Sequence, residues 1–153
     1  MEGKKILIIE DDADMMEAVE IVLKSKNYTT VRAFNIDEGW AKIKEEKPDM
    51  VILDVMFGQN KGTKGFDLAM KMRQDKDVSY IPVLMLTAVN LEYSGFNFSP
   101  DTDGEYLPID EFIDKPAQPD ELLAKVEKLL KQGASEWADW PDKKPAGGEA
   151  AEK

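Results

Sequence analysis

The chain has 153 residues, a net charge of −11 and neither cysteine nor histidine. Its length suits a single domain, and the two missing residue types exclude disulfides, thiol catalysis and the usual zinc sites. The acidic charge argues against a general affinity for nucleic acid. The sequence shows neither a signal-peptide pattern nor an apolar run long enough to cross a membrane. We therefore expect a cytoplasmic protein that works through carboxylates, hydroxyls, lysines and a hard metal ion.

Apolar, β-branched segments alternate along the chain with segments of helical spacing. Asn35 is expected to cap the second helix with Glu38 as its capping-box partner, Pro48 to stop that helix, and Pro119 to open the last one. The predicted strands are 4–9, 29–34, 50–55, 81–86 and 112–114, and the predicted helices are 13–26, 36–47, 66–73 and 119–133. The alternation predicts an α/β fold, a flavodoxin-like, doubly wound sheet of five parallel strands in the order 2-1-3-4-5.

Two stretches lack a sustained helical period. Residues 58–65 carry three glycines and are expected to form a loop. Between the fourth and fifth strands, Gly95 and Pro100 disfavour a helix, because glycine costs about 1 kcal/mol and proline about 3 kcal/mol in a helix interior. We therefore predict that the helix between these strands is short or absent and that residues 90–110 form a loop.

The end of the chain differs in composition from the rest. After residue 132 the sequence is polar and rich in proline, glycine and alanine. We therefore predict one domain over residues 1–132 and a disordered acidic tail over residues 133–153. Trp137 and Trp140 in this tail either form a small docking patch or have no role, and the second interpretation is favoured.

Polar residues stand where the predicted strands end. Asp11 and Asp12 follow the first strand, and Asp54 ends the third. Because these strands are neighbours in the predicted order, the carboxylates are expected to meet at the switch point where ligands bind. Oxygen ligands without histidine or cysteine favour Mg²⁺ or Mn²⁺. Thr87 and Lys115 add a hydroxyl and an ammonium group at the same edge, a set that suits phosphoryl transfer to a carboxylate.

The motifs at these strand ends are similar to those of a known family. They read "IIEDD", "VILDVM", "LMLTA" and "FIDKP". In this order, over residues 4–132, the chain resembles the response-regulator receiver domains of bacterial two-component signalling. One departure is that Gly58 stands where receivers usually have proline and Gly65 arrives about three residues late, which predicts an enlarged loop after the third strand.

The resemblance implies a role for each residue of the site. Asp54 would be the phosphoacceptor. A Mg²⁺ or Mn²⁺ ion would be bound by Asp11, Asp12, Asp54 and the Met56 carbonyl. The phosphoryl group would be contacted by Thr87 and Lys115, and the switch residues would be Thr87 and Phe112. Phe112 is also expected to lie in the core.

The function implied by the resemblance is a signalling switch. A receiver catalyses only its own phosphorylation and dephosphorylation, so we do not expect a conventional enzyme. The phosphoryl donor would be a sensor histidine kinase or a phosphotransfer protein, docking on the first helix at Met15, Met16 and Val19. Since the sequence after residue 132 contains no recognisable output module, we expect a stand-alone receiver that signals through an unknown downstream protein, without direct binding to nucleic acid or membrane.

Other interpretations of these residues remain open. Asp11 and Asp12 are equally typical of a helix N-cap, Thr87 of a strand end and Lys115 of a solvated loop. A Mg²⁺-dependent phosphatase with an aspartyl nucleophile is a rival function. Phosphatases of that type require a second aspartate at the position where this chain has Met56. A pseudo-receiver scaffold that is never phosphorylated is a further alternative, which the complete set of acids, hydroxyl and lysine disfavours.

Overall fold

The computed structural model describes residues 3–55, 61–87, 109–114 and 118–135. Within them, five parallel strands form one sheet in the order β2-β1-β3-β4-β5, which confirms the predicted fold class. The strands are β1 (Lys5–Ile9), β2 (Thr29–Ala33), β3 (Met50–Val55), β4 (Val83–Thr87) and β5 (Glu111–Asp114). The described helices are α1 (Ala13–Lys24), α2 (Ile36–Glu46), α3 (Lys61–Gln74) and α4 (Pro119–Gln132).

The central strands are apolar on both faces because helices cover both sides of the sheet. Along β1, Ile6 and Ile8 join the core beneath α1 and α4, whereas Leu7 and Ile9 join the core beneath α2 and α3. Each such side chain contributes about 1.5–3 kcal/mol when it is fully buried. The continuous apolar runs in the sequence therefore reflect two cores that share one sheet.

The predicted ends of α2 are confirmed. The Asn35 side chain accepts a hydrogen bond from the backbone N–H of Glu38, at 2.7 Å. Glu38 returns a bond through its Oε1, but to the N–H of Phe34 rather than to that of Asn35. The helix ends at Glu46; its C-cap, Lys47, has a φ of 45° in the left-handed region, and Pro48 follows.

Helix α2 also lies unusually close to the sheet. A Cβ atom on Gly39 would approach the Cδ1 atom of Ile9 to 2.6 Å, which is shorter than an ordinary carbon–carbon contact. Gly39 is buried, and Ile9 is the last residue of β1. The missing side chain therefore lets α2 pack directly over the end of that strand.

The loop predicted for residues 58–65 is wrong from Lys61 onward, because α3 begins there and includes Gly62 and Gly65. Glycine lowers helix stability but keeps its backbone N–H donor, so it weakens a helix without ending it. Residues 56–60 lie outside the described residues. The same holds for residues 88–108, so the prediction of a short or absent helix there is not tested.

The packed part of the chain extends past the predicted boundary at residue 132. Gly133 ends α4 with a φ of +82°, a conformation that favours glycine. Ser135 is buried and its backbone N–H donates to the carbonyl oxygen of Tyr80, at 2.7 Å. The rest of the predicted tail, residues 136–153, lies outside the described residues. No helix in the described ranges is long and apolar enough to span a membrane.

Candidate site at the carboxyl edge of the sheet

Strand register brings the positions of Glu10, Asp54 and Thr87 to one edge of the sheet, which we call the carboxyl edge. The pairing of β1 with β3 ends at Ile9 and Leu53, so Asp54 lies beside the position of Glu10. On its other side, β3 pairs with β4 up to Val55 and Thr87. In this register Asp54 pairs with Leu86 and Thr87 pairs with Val55, so the positions of Asp54 and Thr87 are diagonal neighbours on the two strands. The side chain of Thr87 lies outside what the structure describes, as do residues Met56 and Lys115.

Asp12 is the N-cap of α1. Its Oδ1 atom accepts hydrogen bonds from the backbone N–H groups of Asp14, at 2.8 Å, and Met15, at 3.2 Å. The cap satisfies donors that the first turn of a helix cannot satisfy itself. From the sequence, either Asp11 or Asp12 could have been a helix N-cap. In the structure, Asp12 is the N-cap and Asp11 is not. Asp11 is exposed.

Glu10 is a residue of this edge that the sequence analysis left out of the site. It is buried, and its backbone N–H donates to the Ala33 carbonyl at 2.9 Å. Its Oε2 atom accepts from the N–H of Asp12 at 2.9 Å. The Oε1 atom of Glu10 and the Oδ1 atom of Asp54 are both buried. The sequence did contain a signal for Glu10, because this acid is the first residue after the apolar run of β1.

The acids at this edge have the right chemistry for a hard cation, since their ligand atoms are carboxylate oxygens. Burial of carboxylate oxygens in a group of like charges is unfavourable without a compensating positive charge. Among the described residues, however, no group of three or more acidic side chains has the arrangement of a metal site. The predicted ligand set of Asp11, Asp12, Asp54 and the Met56 carbonyl therefore stays a prediction.

Two expectations about apolar side chains at the site are wrong. Phe112 is 37% exposed on β5, so it does not belong to the core. Met16 and Val19 of the expected docking face are buried in the core beneath α1. On that helix the exposed large apolar residue is Ile21, which is 63% exposed. Apolar residues at helical spacing fill the core first, and the sequence alone does not separate the inner face from its margin.

Comparison with known proteins gives a consistent result. A family model described as the response regulator receiver domain matches residues 6–127. The phosphate regulon transcriptional regulatory protein PhoB of Pseudomonas aeruginosa is 33% identical over 132 residues, which cover 86% of this chain and 54% of that protein. The DNA-binding response regulator MtrA of Mycobacterium tuberculosis is 31% identical over 140 residues, covering 89% and 54%.

Solved structures agree with these sequence matches. A CheY-like receiver domain protein from Methanospirillum hungatei is 27% identical, with a TM-score of 0.66, and the match covers 86% of this chain and 97% of that one. The chain thus spans about half the length of the curated relatives it matches and nearly the whole of this receiver.

Proposed function

Because the chain belongs to the response regulator receiver domain family, we propose that it is a phosphorylation-dependent switch of two-component signalling with Asp54 as the phosphoacceptor. One observation carries this proposal. Asp54 is the penultimate residue of the central strand β3, at the carboxyl edge. Glu10, the first residue after β1, comes next in register on one side, and on the other side β4 ends at Thr87, which pairs with the neighbouring Val55. A carboxylate in that position can attack phosphorus as a nucleophile.

The acids around Asp54 would hold Mg²⁺ or Mn²⁺, which neutralises phosphoryl charge when bound. The proposed ligands are Asp11, Asp12, Asp54 and the Met56 carbonyl. The geometry adds Glu10 to the candidates, because it is buried and comes next to Asp54 in register, whereas Asp12 is exposed and caps α1. We therefore favour Glu10 over Asp12 as the third carboxylate.

The remaining residues would act on the phosphoryl group itself. The proposed role of the Thr87 hydroxyl is to donate a hydrogen bond to a phosphoryl oxygen, and that of the Lys115 ammonium is to pair with the same group. Thr87 is the last residue of β4, and Lys115 is the next residue of the sequence after β5, the strand that pairs with β4. These donors stabilise charge on the transferred group, which is the main contribution a protein makes to phosphoryl transfer. Thr87 and Phe112 would then report the phosphorylated state as switch residues.

Mass spectrometry after incubation with Mg²⁺ and acetyl phosphate tests the assignment. We expect one phosphoryl group on Asp54, none in EDTA, and none on Asp54→Asn. Asp37→Asn, which changes an exposed acid in the first turn of α2, is the matched control and should be labelled like the unmodified chain. Equal labelling of Asp54→Asn would refute the proposal, and lasting absence of any adduct would favour the pseudo-receiver scaffold. Rapid turnover of the donor would favour the phosphatase.

The choice between Glu10 and Asp12 calls for a separate binding measurement. Titration with Mn²⁺ should show at least a tenfold loss of affinity for Glu10→Gln and a smaller change for Asp12→Ser, since serine keeps an N-cap without the charge. The reverse ranking would assign the third ligand to Asp12.

The proposed phosphoryl donor is a histidine kinase or a phosphotransfer protein. Ile21 offers an exposed apolar contact on α1 for such a partner. Ile21→Ser should slow transfer from a phosphorylated donor protein at least tenfold and leave labelling by acetyl phosphate unchanged. Equal loss with both donors would mean that the substitution damages the site and not the docking surface.

The downstream partner is proposed to be a protein. The relatives compared above are named as transcriptional or DNA-binding regulators and are about twice as long as their match with this chain. Those names are not carried over to this chain: we propose that it does not bind nucleic acid directly, because its net charge of −11 disfavours contact with phosphates. A gel-shift titration of this chain with duplex DNA at low salt checks it.

A further inference from the structure

At the edge where the strands begin, which we call the amino edge, a buried arginine organises a polar cluster. Arg73, in the last turn of α3, is 0% exposed. Its Nη1 atom donates to the carbonyl oxygens of Ser79, at 3.0 Å, and Ile81, at 2.6 Å. Its Nη2 atom donates to Oδ2 of Asp110, at 3.0 Å. Burial lowers the pKa of Arg73 to about 10, and the charge of Asp110 opposes this fall, so the guanidinium stays cationic at neutral pH.

Asp110 connects this arginine to the sheet. It comes directly before β5, and its Oδ2 atom also accepts from the N–H of Val83, the first residue of β4, at 2.9 Å. Its own N–H donates to the Val83 carbonyl at 2.9 Å. The carboxylate therefore fixes the start of β5 to both β4 and α3.

The same carboxylate also holds the chain that leaves α4. The Ser135 hydroxyl donates to Oδ1 of Asp110 at 2.8 Å, and it lies 3.1 Å from Oδ2. The backbone N–H of Ser135 donates to the Tyr80 carbonyl at 2.7 Å. The left-handed backbone of Gly133 turns the chain out of the helix just before these contacts. Ser135 is thus fastened at two points, three residues after α4 ends.

We propose that Arg73, Asp110 and Ser135 form a latch that ties the chain leaving α4 to the start of β5, so that a displacement of β5 also displaces Ser135. The argument for coupling is distance along the strand. Asp110 is two residues before Phe112, and β5 is four residues long. Because Asp110 directly precedes this short strand, a shift of β5 also shifts the Asp110 carboxylate and the Ser135 hydroxyl bonded to it. The coupling half of the proposal depends on the phosphorylation switch proposed above, whereas the latch itself does not.

Amide hydrogen exchange at Ser135 tests the latch in the full chain. Ser135→Ala removes the hydroxyl but keeps the backbone N–H that Tyr80 accepts. A hydrogen bond to a charged group is worth roughly a ten- to hundredfold change in an equilibrium, so exchange at residue 135, corrected for its intrinsic rate, should rise by that factor. Ser25→Ala, which removes a serine hydroxyl bonded to the Val22 carbonyl, is the matched control and should leave residue 135 unchanged. No rise in Ser135→Ala would overturn the latch.

Coupling is tested by the same measurement after incubation with Mg²⁺ and acetyl phosphate, with labelling of Asp54 followed in parallel. In the unmodified chain, exchange at residue 135 should change at least threefold on labelling, and in Ser135→Ala this response should disappear. A labelled chain whose residue 135 exchanges as before would overturn the coupling while leaving the switch in place. Failure of labelling itself counts against the switch and against the coupling that depends on it, while the exchange result for Ser135→Ala still decides whether the latch exists.

Discussion

At the amino edge of the sheet, the buried guanidinium of Arg73 forms an ion pair with the carboxylate of Asp110. At the carboxyl edge, by contrast, several acidic residues stand close together. The amino edge balances its charge within the fold and satisfies each oxygen of Asp110 with a donor. The carboxyl edge places Glu10, Asp11, Asp12 and Asp54 at two neighbouring strand ends. The comparison separates charge that is balanced inside the fold from charge that is proposed to bind a cation, and the following predictions test that separation.

Asp110→Ala should produce the largest loss of stability. It leaves the guanidinium of Arg73 buried without its negative partner, which typically costs about 3–5 kcal/mol. Urea denaturation should show the loss as a lower midpoint with an unchanged slope. Glu45→Ala removes an exposed acid from α2 and should change stability by less than about 0.5 kcal/mol. A loss below 1 kcal/mol for Asp110→Ala would show that the amino edge does not depend on this pair.

Gly39→Ala should have the next largest effect, close to the carboxyl edge. The new Cβ atom would lie 2.6 Å from Cδ1 of buried Ile9, and overpacking of this kind costs about 1–3 kcal/mol. The better helix propensity of alanine offsets up to about 1 kcal/mol of this, so a net loss of about 1–2 kcal/mol is expected in urea. Ala18→Gly on the exposed face of α1 gives the propensity difference alone. A gain in stability for Gly39→Ala would contradict the close packing.

Asp12→Ala should cost about 1 kcal/mol, because the N-cap of α1 is lost. Asp11→Ala is its matched control: it removes an equal charge from the same edge but no cap, so its stability should be unchanged or slightly higher. Asp12→Ser should lie between the two, since it keeps a cap and loses the charge. Equal changes in melting temperature for Asp11→Ala and Asp12→Ala would show that the cap contributes no stability beyond the effect of the charge.

A pH titration of stability should show the smallest effect, at a pair that lies at neither edge. The Arg32 side chain, hydrogen-bonded to Glu20, holds the pKa of Glu20 below its ordinary value. The ionised form is thus favoured in the folded chain, so its stabilisation is complete above the ordinary pKa of about 4.3 and is lost as the pH falls through the lowered value. Because half of the Arg32 side chain is exposed, the contribution should be at most about 1 kcal/mol. In Glu20→Gln, the fall in the free energy of unfolding at acid pH should be smaller by that amount. An unchanged fall would mean that other carboxylates cause it.

Sequence patterns predicted those features that depend on local spacing. The run Ile6–Ile9 predicted a strand buried on both faces, and Asn35 with Glu38 predicted the start of α2. The start of α3 was missed because helix propensity is a weak guide that the surrounding fold overrides. The strand order makes the positions of Asp54 and Thr87 diagonal neighbours, while the roles proposed for them stay predictions.

Contacts between distant parts of the chain left no signal in the sequence. Arg73 and Asp110 are 37 positions apart, and neither residue type predicts a buried pair, since both are usually exposed. The proposal of Glu10 as a ligand rests in part on the finding that Asp12 caps α1, a cap that the local sequence permits but does not require. Positions of side chains across a fold follow from packing, and packing is not visible in a linear pattern.

The order of the strands has a consequence for folding. β1 and β3 are neighbours in the sheet, yet β2 and the helices α1 and α2 lie between them in the chain. Closing so long a connection costs chain entropy before any contact offsets it. Apolar partners such as Ile8 and Ile52, which pair across the two strands, must therefore close the gap against the repulsion of the acids that follow them. Asp54 is far along the chain from Glu10, Asp11 and Asp12, so only the folded state carries the repulsion between Asp54 and these three acids.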